Sequence, residues 1–173
     1  MNVFSIATPG ALLGLVALSL VAAGCGKAPP RAPNPKTPIS ERRAMEIIGK
    51  AVRKEKLQPS EGRDVKTTAG AVVHVDVGVD EHKFGIAYLT ENDLAGDDAD
   101  KLPQKDPKRP RALVVAEGVR VDADAHVLLL VDKDYRFDDQ VGEEHESTSI
   151  TAEATLERDV RDFVVLAKSK RWE

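Results

Sequence analysis

His74 and Asp76 come first when the chain is searched for chemistry. They stand two apart in VVHVDVGV, so an extended backbone puts both on one face, where a carboxylate can orient an imidazole. This pair is the candidate ligand-binding site, and any hydrolytic chemistry would be built around it. A second cluster is Asp132-Lys-Asp134-Tyr-Arg136-Phe-Asp138, followed by Glu143. Its oxygen-bearing side chains fall at the first, third, seventh and twelfth positions of a calcium loop. The match fails at two decisive places. Arg136 aims a cation at the metal, and Phe137 stands where the sharp turn needs Gly. Asp132, Asp134 and Asp138 are therefore the candidate metal ligands, and no metal is expected.

Other chemistries have less behind them. His74, His82, His126 and His145 lack the spacing of a metal-ligand motif. No GxSxG elbow, phosphate-binding loop or dinucleotide fingerprint occurs. No cofactor and no catalytic constellation are expected.

Positioning these residues requires a small set of elements. Val73, Val75, Val77 and Val79 alternate with His74, Asp76 and Gly78, which predicts one half-buried strand. Asp80 to Lys83 is a polar turn, and Phe84 to Leu89 returns as the second arm of an antiparallel hairpin. Thr90 can cap a brief helical turn through Leu94. Ala112–Ala116 and His126–Val131 are the third and fourth strands. The unbroken HVLLLV predicts a central strand covered on both sides. Ala95–Arg111, with three prolines, and the acidic Asp138–Ser149 are expected surface loops.

Helices frame the strands. Ser40 is the expected cap of a helix over Glu41–Lys56, with Ala44, Ile47, Ile48, Ala51 and Val52 on one stripe and Gln58-Pro59 as its stop. Thr151 is the expected cap of a final helix carrying Leu156, Val160, Phe163, Val164 and Ala167 inward, with Trp172 clamped onto the domain. The predicted fold is α+β: an antiparallel sheet of about four strands with both helices on one face.

The amino-terminal region reads differently. Between Met1 and Gly24 there is no charged residue, and Ala11–Ala23 is apolar. That run is shorter than the roughly 20 residues a membrane-spanning helix needs, and it fits a secretory signal of about 7–15. Ala22, Ala23 and Gly24 then precede Cys25, the chain's single cysteine. This stretch resembles the lipobox of bacterial lipoproteins. The resemblance implies cleavage between Gly24 and Cys25, with lipid acylation of Cys25. Gly26, where Asp favours inner-membrane retention, points to the outer membrane. Five prolines between Gly26 and Ile39 predict an extended tether. The expected organisation is thus signal peptide 1–24, lipidated cysteine and tether 25–39, and one domain over 40–173.

Charge sorts along the chain. From Lys27 to Arg63, ten Lys and Arg face four Glu, whereas from Asp64 to Ile150 ten basic residues face twenty acidic ones. Net negative charge and six aromatic residues after Gly24 argue against nucleic acid as a partner. The expected partners are the membrane, through the lipid, and an envelope protein. The expected function is a non-catalytic binding or structural module in the cell envelope. The alternative is a small-ligand-binding or hydrolytic envelope enzyme using His74 and Asp76.

Overall fold

The computed structural model describes residues 35–96, 98–138 and 147–172. In chain order the elements are β1 (Thr37–Pro38), α1 (Glu41–Lys54), β2 (Pro59–Glu61), β3 (Asp64–Lys66), β4 (Val72–His74), β5 (Val77–Val79), β6 (Phe84–Leu89), β7 (Val114–Glu117), β8 (His126–Val131), β9 (Arg136–Phe137) and α2 (Ser149–Lys170). They form an α+β fold. Two helices pack together, beside a five-stranded mixed sheet of order β2-β5-β6-β8-β7 and two small two-stranded sheets, β1-β9 and β3-β4.

The helices follow their sequence signals closely. The Ser40 hydroxyl accepts the Arg43 amide at 3.4 Å, and the α1 stripe from Ala44 to Val52 is buried. The helix ends at Lys54, two residues before the expected stop, because Lys56 takes a left-handed φ of 62°. At α2 the cap is Thr148 rather than Thr151. The Thr148 hydroxyl accepts the Thr151 amide at 3.2 Å, and the Thr151 hydroxyl accepts the Thr148 amide at 2.8 Å. Trp172 clamps as expected: its ring lies 3.8 Å from that of His126 and 6.0 Å from that of Phe163.

The sheet departs from the antiparallel expectation at its centre. β5 and β6 form the predicted antiparallel hairpin, but β6 and β8 are parallel, with Phe84 opposite His126 and Leu89 opposite Val131. β7 occupies the edge, antiparallel to β8. The long passage from Thr90 to Leu113 carries the chain past β6, and β8 then fills the place between. β8 is therefore an interior strand covered on both faces, beside the central β6 and not itself at the centre. Leu128 and Leu130 face the helices, and Val127 and Leu129 face a second core on the other side. Such continuous apolar runs suit parallel strands buried on both faces.

The valine strand is also two strands. Val73, Val75, Val77 and Val79 are all buried, as the alternation predicts, yet β4 pairs with β3 while β5 pairs with β2 and β6. The chain bends between them because another backbone crosses there. A Cβ on Gly62 would lie 1.5 Å from the Val75 carbonyl oxygen. The expected turn at Pro59 is β2 itself, and the expected third strand begins two residues later than predicted, at Val114.

Two expected loose segments are tied down. Thr37 and Pro38 pair with Phe137 and Arg136, and Ile39 is buried with its carbonyl accepting the Tyr88 hydroxyl at 2.8 Å. The last three residues of the expected tether thus belong to the fold. Within the 95–111 loop, Leu102 is buried in the second core.

Candidate functional site

An open cleft of about 630 Å³ lies at the carboxyl end of β6. Four separate segments line it: Glu41 from the first turn of α1; Val72 to His74 of β4 with Asp76 just after it; Tyr88 to Thr90, Asn92 and Asp93 from the end of β6 and its following turn; and Gly96, Asp98, Ala99 and Leu102 beyond. Leu102 closes one wall. His74 and Asp76, picked out by their spacing, do reach this common cavity.

Each polar group is held by a local device. Asp64 lies opposite His74 in the β3–β4 ladder, and its carboxylate meets the His74 Nδ1 at 2.7 Å. This bond holds the imidazole above its ordinary pKa; burial opposes it, and the fields of Asp76, Asp64 and Asp93 add to it. Asp76 accepts the Tyr88 amide at 2.7 Å. Burial pushes its carboxyl up; the Tyr88 amide and His74 oppose that, while the charges of Glu41 and Asp93 add to it. Asp93 accepts both the amide and the hydroxyl of Thr90, at 2.8 and 2.6 Å. Tyr88 lines the cleft while its ring lies in the helix-side core, where its phenol is pushed up to about 12 first by burial and then by the charges of Asp132 and Glu41.

The cleft therefore concentrates negative charge around one imidazole that favours its protonated form. Such a surface suits hydrogen-bond donors and cationic groups. Val72, 55 % exposed beside it, adds an apolar contact. The Asp64–His74 pair is itself mostly in water, with side chains 70 % and 68 % exposed, so it orients the ring and adds little stability.

Sequence reasoning missed Glu41, Asp64 and Asp93. Thr90-x-x-Asp93 carried a legible capping signal, but Asp64 meets His74 through sheet register and Glu41 joins the cleft through helix placement.

The candidate metal ligands are not brought together. Asp132 begins a single 3-10 turn whose Tyr135 points into the core, and Asp134 pairs with Lys105 at 3.0 Å. Asp132 and Asp138 are buried, each with one carboxylate oxygen lacking a partner among the described residues. Among the described residues no group of three or more His, Cys, Asp or Glu is placed to hold a metal ion. Glu143 and its neighbours in that loop, like Gly24 and Cys25, lie outside the described residues. Among the described residues no helix is long and apolar enough to cross a membrane.

No protein-family model, curated protein or solved structure matches this chain.

Proposed function

We propose that this chain is a lipid-anchored lipoprotein of the cell envelope, held at the outer membrane through Cys25, and that its α+β domain is a non-catalytic binding module. The binding face is the His74–Asp76 cleft. The observation that carries this reading is the convergence of four segments on one open, acidic cavity, large enough for a side chain or small ligand of an envelope partner. The lipobox-like stretch and the proline-rich segment support the anchor. Two or more acyl chains hold a membrane firmly where one does not.

Two measurements test the two halves. Cys25→Ala abolishes incorporation of labelled palmitate and leaves the precursor uncleaved; continued acylation removes the anchor reading. A photo-crosslinking residue at Val72 yields a discrete adduct in cells, and Asp76→Asn with Asp93→Asn abolishes it. The same residue at Val121, 98 % exposed and away from the cleft, gives none. An identical pattern at both positions sinks the cleft assignment.

A hydrolytic or small-ligand reading draws support from the Asp64–His74 contact, which orients an imidazole at a cavity wall. It requires that His74→Gln abolish turnover or ligand uptake while leaving the Val72 adduct intact.

A further inference from the structure

The helix layer presents a second surface, on the sheet face opposite the second core. The ion pairs Arg43–Glu153, Lys54–Glu157 and Arg161–Glu55 climb both helices in the same order, so α1 and α2 run parallel and their carboxyl-terminal halves lie side by side. Along that half the ion-paired acids are tucked beneath the cations, while Asp162 stands exposed beside Arg161. Glu55 and Glu157 side chains are 16 % and 25 % exposed, whereas their partners Arg161 and Lys54 are 51 % and 45 % exposed. Lys50 and Arg53 stand exposed on the same helix, with Lys50 close enough to Glu153 and Glu157 to lower the pKa of both. Solvent therefore meets positive charge, although the paired groups nearly cancel in number. An apolar residue stands within it: Val165, 54 % exposed, sits four residues after Arg161 and three before Lys168, on one helical stripe. Cations flanking an exposed apolar residue on a helix face are the features of an interfacial contact with anionic lipid.

We propose that this face docks on an anionic phospholipid bilayer, so that the domain lies with α1 and α2 against the membrane and turns the His74–Asp76 cleft away from it. Charge complementarity selects the occupant. The acidic cleft lies by the first turn of α1, where Glu41 lines it, away from the carboxyl-terminal end of that helix, so one orientation satisfies both surfaces. A tether of about a dozen residues at roughly 3.1 Å each gives ample reach for either face to meet the bilayer. The orientation gains its purpose from the anchored reading, but the test is independent of acylation.

The test uses the chain from residue 25 with Cys25→Ser, whose described core lies wholly within Thr37–Trp172. Flotation is measured with phosphatidylcholine vesicles and with three-to-one phosphatidylcholine–phosphatidylglycerol vesicles. The expected result is binding to the anionic vesicles alone, at low salt, lost at moderate salt. Lys50→Gln with Arg53→Gln and Lys170→Gln lowers that affinity roughly tenfold or more, since each cation near an anionic surface contributes about fivefold. Lys66→Gln with Lys108→Gln and Arg111→Gln removes the same net charge elsewhere and leaves binding nearly unchanged. No binding to anionic vesicles, equal binding to neutral ones, or equal loss in the two triple variants overturns the proposal. Failure of acylation at Cys25, read by mass spectrometry of the full chain, would instead remove the anchor and leave this result standing.

Discussion

The two faces of the central sheet are packed by different means. On one, α1 and α2 bring Ile48, Leu156 and Phe163 down onto Phe84, Ile86 and Leu128, and the Phe84 and Phe163 rings meet edge to face at 5.7 Å. On the other, a short hairpin and two 3-10 turns bring valine, alanine and a few leucines, with no aromatic ring among the buried described residues. The same strands feed both. Long helices can deliver a large side chain every turn along their length, whereas short elements deliver few, and their cover is incomplete. The cleft opens on the thinly covered side. Stability is thus concentrated under the helices, and the recessed polar surface is found where packing leaves room.

Three measurements would break or sharpen that contrast. The largest effect is expected from Phe163→Ala, which empties a fully buried ring site and should cost about 3–5 kcal/mol in urea titration. A loss under about 1 kcal/mol would mean that the helix side is not the main core. Leu102→Ala, on the thin side, should cost about 2 kcal/mol, the low end for leucine, because its site borders the open cleft. Combined with Phe163→Ala, the two losses should add to within about 0.5 kcal/mol, since the residues share no core cluster. Strong non-additivity would show one core instead of two.

The smallest effect concerns pH, because the histidines of the two regions shift in opposite directions. Burial lowers the pKa of His126, so the folded chain takes up its proton less readily than the unfolded chain, and stability falls as pH drops through 6.5. His74 is raised, chiefly by its bond to Asp64. Its contribution is complete below 6.5 and fades as pH rises through the folded value. His126→Gln should flatten the acid loss, and His74→Gln should deepen it slightly, by well under 1 kcal/mol for so exposed a pair. Urea midpoints at several pH values between mildly acid and mildly basic decide this. Opposite signs would reverse the assignment of buried and paired imidazoles.

Much of the fold was legible in local pattern. The α1 stripe, the Ser40 cap, the α2 stripe with Phe163, the β5–β6 hairpin and the doubly covered β8 all rest on periodicity or capping within a few residues. The parallel pairing of β6 with β8 was not legible, because an apolar run records burial and carries no strand direction. The break after His74 escaped for a related reason. Period-two alternation continues through Asp76 while the strand changes partners and cores, and the cause is a distant residue, Gly62.

The cleft divides in the same way. Sequence by itself determined that His74 and Asp76 share a side of the chain, and that Thr90 opens a short turn, because these depend on a few neighbouring residues. It also determined the apolar stripe and the cationic face of α1, which need only helical spacing. Tertiary structure alone decided that Asp64 meets His74, that Glu41 and Tyr88 share their cavity, and that the cations of α1 and α2 form one surface. Those depend on sheet register and on two helices separated by nearly a hundred residues lying parallel. Hydrophobic burial drives such packing without direction, and the partners emerge only once the whole core has closed.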